Sequence, residues 1–274
     1  MQSMLPELSS NYPLTREQIV AYQEDGHILL RGVCSSEEIA AYRPVLTGTV
    51  ARHNTQTLKM EDRSTYAKAF IQIGNLWRLD PDAARFVLAR RFAKIAAELM
   101  GVASLRLYHD QALYKEAGGG HTPWHQDECY WPLDTDKTVT MWMPLVDVSV
   151  EMGALTFATG SHKGGILDDA LVISDESQEK YDAMVKALGY PIAQEALKAG
   201  DATFHAGWTL HSAPGNASAM DREVMTIIYY ADGVNTLADF GNRSCKGDME
   251  GIYPDVTPGE PAVSELTPIV YRAS

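Results

Sequence analysis

Ser104-Leu-Arg-Leu-Tyr-His-Asp-Gln-Ala-Leu-Tyr-Lys115 is the stretch where the apolar period changes from helical to two. Leu105, Leu107, Tyr108 and Leu113 mark a strand there, and Gly118-Gly119-Gly120 breaks it. Downstream, Thr138 to Val148 reads as a second strand rich in β-branched and large apolar residues. Ala154-Leu-Thr-Phe157, Ala202-Thr-Phe-His205 and Arg222 to Ala231 read as three more, separated by Gly, Pro and Asn turns. Upstream the chain reads helical. Thr15-Arg-Glu-Gln18 and Ser35-Ser-Glu-Glu38 have the form of capping boxes, and Gly26 stops the first helix before a short buried strand, His27 to Arg31. Asp80-Pro81 opens a helix expected to run through Phe86, Val87, Ile95 and Leu99 to Gly101. A helix-rich start followed by many short strands predicts a mainly β fold with flanking α: an antiparallel sandwich or barrel with helices packed outside.

At 274 residues and 30.2 kDa the chain is expected to form one domain over 1–274. Its parts are a helix-rich 1–103, a strand core at 104–232 and a tail at 233–274. An insertion at about 160–195 holds one helix, Glu176 to Leu188, and has the length of a lid. Lys and Arg number 23 against 36 Asp and Glu, a net charge of −13. That field repels a phosphate backbone or an anionic bilayer, so neither nucleic acid nor a membrane surface is expected as a partner. No apolar run approaches the length of a membrane span, and the first twenty residues, with Glu7, Arg16 and Glu17, show no targeting pattern. Three separated cysteines, Cys34, Cys129 and Cys245, fit a reducing cytoplasm and no Cys-based zinc site.

The chemistry rests on histidines. Of eight, only His125 lies two residues before an acid in the pattern His-x-Asp, His125-Gln126-Asp127. On a strand, residues i and i+2 face one side, so both can bind one metal ion. By itself the triplet carries little, since eight histidines among 36 acids produce one by chance about as often as not. Two further residues give it weight. His211 and Arg222 flank the Pro214-Gly215-Asn216 turn and are expected on adjacent antiparallel strands. Arg222 shares parity with Val224, Thr226, Ile228 and Tyr230, an apolar face where a guanidinium needs an anion from the protein or from a ligand. Two histidines and one carboxylate with open positions make the facial triad of non-haem Fe(II) oxygenases. An interior arginine suits a bidentate grip on the carboxylate of an acidic cosubstrate.

His125-Gln-Asp127, the segment Gly153-Ala-Leu-Thr-Phe-Ala-Thr-Gly-Ser-His162-Lys163, and His211 with Arg222 eleven residues later resemble the phytanoyl-CoA dioxygenase (PhyH) family. So does the opening Leu14-Thr-Arg-Glu-Gln18 with Asp25-Gly26. The resemblance covers roughly 14 to 232. It implies a double-stranded β-helix (jelly roll, cupin-like), with Fe(II), 2-oxoglutarate and O2 as cofactors and cosubstrates. It implies His125, Asp127 and His211 as catalytic iron ligands and Arg222 on the distal carboxylate of 2-oxoglutarate. Gln111 and Trp142 are implied beside that cosubstrate, though each also fits ordinary core. The family often has a hydroxyl residue two places after the distal histidine, and here that place is Ala213. His205 is the rival for distal ligand, with the spacing to Arg222 favouring His211. His162 reads as a loop cap. His109, His121, Tyr130 and Trp131 read either as pocket rim or as satisfied structural groups, and Cys129 as small-residue packing.

The resemblance implies oxidation of a small-molecule substrate, a small or medium organic metabolite or natural-product intermediate, with 2-oxoglutarate converted to succinate and CO2. Asp127 favours hydroxylation, because halogenating relatives vacate that position for chloride. Desaturation, epimerisation and rearrangement share the triad and stay open. No Lys/Arg cluster is present to hold CoA phosphates. Two alternatives are a catalytically silent jelly-roll binding protein and a Zn or Mn cupin-type enzyme that works without 2-oxoglutarate.

Overall fold

A computed structural model describes residues 5–167, 173–241 and 243–273. Helix ends sit where the chain supplies their caps. Helix α1 (Arg16–Asp25) opens on Thr15, whose hydroxyl accepts from the Gln18 N–H while the Gln18 side chain accepts from the Thr15 N–H. It closes on Gly26 at φ 78°, and a Cβ there would lie 2.2 Å from His162 Nδ1. The glycine thus serves the turn and the close approach of the Gly160-Ser161-His162 segment. Helix α2 (Ser36–His53) has the same reciprocal cap at Ser35 and Glu38. Short helices α3 (Thr65–Ala69) and α4 (Leu76–Leu79) follow, then α5 (Pro81–Val87), α6 (Arg90–Met100), α7 (Asp175–Leu188) and α8 (Lys246–Ile252).

The single helix expected from Pro81 to Gly101 is two. At Ala89 the backbone turns extended, with ψ 123°, and the Arg91 N–H bonds Leu8 O instead of continuing the first helix. The break sends the Arg91 guanidinium onto Glu38, a tertiary partner that local propensity cannot register.

The described strands are β1 (His27–Leu30), β2 (Ile71–Gly74), β3 (Ser104–Tyr114), β4 (Thr122–His125), β5 (Thr138–Pro144), β6 (Thr156–Ala158), β7 (Ile192–Gln194), β8 (Ala202–Ala206), β9 (His211–Ala213), β10 (Val224–Ala231) and β11 (Ile269–Arg272). They form two antiparallel sheets, ordered β1-β8-β5-β10-β3-β11 with β2 also on β3, and β4-β9-β6-β7. Together they make a double-stranded β-helix, or jelly roll. Strand β5 ends at Pro144, short of Val148. The tail at 233–274 is more than a tail, since β11 returns to pair with β3.

The larger sheet is covered on both faces, so β5 and β10 are buried throughout. Its outer face (Leu107, Met141, Phe204, Ile227, Tyr229) packs on Leu46, Phe86, Phe92 and Leu99 of the helices. Its inner face presents in-register rows to a cavity. One runs His109–Ile228–Thr140–His205, and the next Gln111–Thr226–Trp142–Thr203. A bulge at Ile228/Tyr229 brings the rings of Tyr108 and His109 to 4.9 Å. Part of the expected lid, residues 168–172, lies outside the described residues. Among the described residues, no helix is long and apolar enough to cross a membrane.

Candidate metal centre

His125 and His211 are a cross-strand pair. They sit opposite each other in the β4–β9 register, with ring centroids 4.1 Å apart. In each, Nδ1 lies against the carbonyl two residues back: 2.8 Å to Pro123 O and 2.9 Å to Thr209 O. A carbonyl only accepts, so Nδ1 carries the proton and Nε2 keeps its lone pair toward the cavity.

Asp127 completes the group. It lies just past the end of β4, in a 3-10 turn over Asp127–Tyr130, and not on the strand that the i, i+2 argument assumed. The chain bends because its flanking residues are held elsewhere. The Gln126 amide donates to Gly165 O and Trp208 O and accepts from the Leu167 N–H. Glu128 is buried on the Thr138 hydroxyl beside Gly207, where a Cβ would collide with its carboxyl. Asp127 Oδ1 then lies 3.5 Å from His125 Nε2 and 3.7 Å from His211 Nε2. The potential ligand atoms of the three residues all fall within 4.8 Å of one another. Burial works to raise the Asp127 carboxyl, but His211 and the hydrogen bonds of His125 and His205 outweigh it and hold the group well below the usual carboxylate range. Burial, then His125, depresses His211, which keeps the imidazole neutral as a metal ligand requires.

His205 has a different place from the one weighed for it. Its Nε2 is 3.2 Å from Asp127 Oδ2, and the Thr140 hydroxyl donates to the same oxygen at 2.9 Å. Both groups therefore hold the carboxylate oxygen that turns away from His125 and His211. Sequence reasoning offered His205 only as a rival ligand, because the register linking β8 to Asp127 is invisible in the chain.

Arg222 lies at the inner end of the same cavity, 1% exposed. It bridges by backbone to Lys115 just before β10, so it faces His211 from the opposite sheet and not from an adjacent strand. Its NH1 donates to Gly153 O at 2.5 Å, Trp142 lies 5.3 Å under the guanidinium, and Nε has no partner. Among the described residues, no carboxylate pairs with it. Burial pushes it down to about 9. Lys115 is buried beside it, its Nζ donating to Gly120 O, Pro214 O and the Thr122 hydroxyl; burial and the neighbouring Arg222 push it down to about 6. A buried guanidinium without an acid fits an anionic ligand. The cavity, about 400 Å³, is also lined by Gln111, Trp142 and Ala213. Directly opposite Ala213 in the β4–β9 register stands Thr122, which lines the same wall and whose hydroxyl accepts from Lys115 Nζ. Tyr130, Trp131 and His109 line the cavity too, His109 pushed down to about 4 by burial. His121 stays outside near Asp175, and His162 caps the α1 end through Gln23 O. Cys129 is buried and does not line the wall.

Fold and site define a jelly-roll protein with two histidines and one carboxylate placed as a metal ion would need them, and a cationic inner end. Residues 22–224 match the phytanoyl-CoA dioxygenase (PhyH) family, and the chain belongs to that family. A probable alpha-ketoglutarate-dependent hypophosphite dioxygenase of Stutzerimonas stutzeri is 25% identical over 249 residues, covering 86% of this chain and 84% of that protein. An ectoine dioxygenase of Bordetella parapertussis is 24% identical over 240 residues, covering 79% and 75%. Among solved structures, the non-heme alpha ketoglutarate dependent carbocyclase SnoK from nogalamycin biosynthesis superposes with a TM-score of 0.76 at 25% identity, covering 95% and 99%.

Proposed function

We propose that the protein is an Fe(II)- and 2-oxoglutarate-dependent dioxygenase that hydroxylates a small or medium organic metabolite or natural-product intermediate. The oxygenase class accords with family membership and with relatives named for alpha-ketoglutarate dependence. The observation that carries the reading for this chain is Arg222: a buried, acid-free guanidinium in the cavity that holds the three metal-binding side chains.

His125, Asp127 and His211 would hold the iron through Nε2, Oδ1 and Nε2, and Arg222 the distal carboxylate of 2-oxoglutarate. Bound together, ferrous iron and the keto acid supply an oxidant strong enough for an unactivated C–H bond, with O2 consumed and succinate and CO2 released. The protein's own part is orientation and exclusion of water. His205 and Thr140 hold one Asp127 oxygen, so the carboxylate offers the other alone and leaves metal positions open. Trp142 stacks on Arg222 and dries the inner end. Thr122 supplies the hydroxyl that Ala213 lacks. Gln111, held by the Gln72 amide at 2.9 Å, faces the same space.

The relatives' names point to different substrates, so none transfers directly. Hypophosphite is a few-atom anion, whereas the wall here carries Tyr66, Phe70, Tyr130 and Trp131, which suit an organic body. The acidic chain makes nucleic acid and membrane poor partners, and three buried cysteines accord with the cytoplasm. Anaerobic Fe(II) and 2-oxoglutarate should give the weak visible charge-transfer band of a chelated keto acid, and a metabolite screen should find compounds that raise succinate release. No band and no succinate under O2 favour a silent binding protein. Activity that survives without 2-oxoglutarate favours the cupin-type enzyme.

A further inference from the structure

The cavity has two ends, and the outer one carries the opposite sign. Asp248, on α8, lines a wall that also holds the aromatic residues Tyr66, Phe70, Tyr130 and Trp131. The Tyr108 hydroxyl donates to its Oδ2 at 2.7 Å, a contact set up by the bulge in β3. Burial raises the carboxyl, and the Tyr108 hydrogen bond works against that. Among the described residues no Lys, Arg or His pairs with Asp248, and Arg222 is the only Lys or Arg on the cavity wall. Of the wall groups at the inner end, a dication, the Asp127 carboxylate, a dianionic keto acid and the Arg222 guanidinium sum to zero charge. Asp248 is left over, a partly desolvated carboxylate that shares the wall with aromatic residues. A desolvated carboxylate is stable when a cation meets it, and aromatic faces favour the same sign.

We infer that the substrate carries a protonated amine or amidine on an apolar or aromatic body, and that Asp248 binds this cation and so orients the carbon to be oxidised. The inference rests on the oxygenase reading above and deepens it. A CoA thioester or a small oxyanion would meet Asp248 with like charge and find no second cation on the wall.

The test uses the Fe(II), 2-oxoglutarate-loaded protein under anaerobic calorimetry, with phenethylamine and tryptamine as probes beside their N-acetyl forms, 3-phenylpropionate and indole-3-propionate. The amines should bind at least about tenfold tighter than either neutral or anionic counterpart, the margin of one charge-assisted hydrogen bond. Asp248→Asn keeps the shape and the acceptor for Tyr108; it should remove that preference while N-acetyl binding stays within about twofold. Equal binding of all probes, preference for the carboxylates, binding of none, or a preference that survives Asp248→Asn would each overturn the inference. The 2-oxoglutarate band separates the two readings. Its presence in wild type and variant shows an intact inner end, whereas its absence from the wild type sinks the oxygenase reading while calorimetry still scores the amine preference.

Discussion

Arg91 and Arg222 are both buried, at 8% and 1% exposure, and their surroundings could hardly differ more. Arg91, in the helical layer, makes a two-point contact with Glu38 at 2.7 and 2.8 Å and also donates to Val33 O, Ser10 O and the Ser10 hydroxyl. Arg222, in the jelly-roll cavity, donates to one carbonyl and leaves Nε bare. The helical layer closes its own charges, as a structural region must. The cavity sets a cation at one end, an anion at the other and three groups able to hold a metal ion between. That layout accords with a cavity built for charged ligands.

The contrast can be broken experimentally. The largest effect belongs to Asp127→Ala, which should bring substrate-dependent succinate formation to background while the metal-free unfolding midpoint stays near wild type. Unchanged turnover would remove Asp127 from the site. Arg91→Met should do the reverse. It strands a partly buried Glu38 and should cost about 1.5–3 kcal/mol of stability in denaturant titrations, with the 2-oxoglutarate requirement unmoved in whatever folded protein remains. Arg222→Gln should raise the 2-oxoglutarate requirement by ~30-fold or more, since a buried charge contact worth at least about 2 kcal/mol is lost. It should cost the metal-free protein little stability, because no buried acid is abandoned; a loss as large as that of Arg91→Met would erase the distinction between the two regions. His205→Ala should weaken Fe(II) binding by about 10- to 100-fold through a mobile Asp127, and an unaltered affinity would show that Thr140 suffices.

The smallest effect is a pH dependence. His27 and His109 are both pushed down to about 4, chiefly by burial, so each must take up a proton when the chain unfolds in mild acid. Their contribution to stability is complete above about pH 6.5 and is lost as pH falls from there toward 4. His109→Gln should therefore lose less stability than wild type between pH 7 and 4.5, and parallel midpoint curves would contradict the assignment.

Much of this was legible in the chain. The capping boxes at Thr15 and Ser35, the proline start at Pro81 and the period-2 stretch from Ser104 are local signals, and the structure has the corresponding elements. The short strands β2, β4, β7, β9 and β11 gave weak or no signal, because three or four residues are too few to show a period. Three of the four strands of the small sheet, β4, β7 and β9, are among them, and β4 and β9 carry the two candidate metal-binding histidines. Those histidines stood out through the order of polar residues and not through periodicity.

Residue types and their order along the chain determined the helical start, the β core, and the set His125, Asp127, His211 and Arg222, since each depends on near neighbours or on chemistry that few residues perform. Only tertiary structure decided that His125 faces His211 across a strand pair, that His205 braces Asp127, that Thr122 stands where Ala213 lacks a hydroxyl, and that Asp248 arrives from α8. These depend on sheet register and on which loops return to one cavity. Register is set by packing over the whole molecule, and a linear pattern carries no record of it.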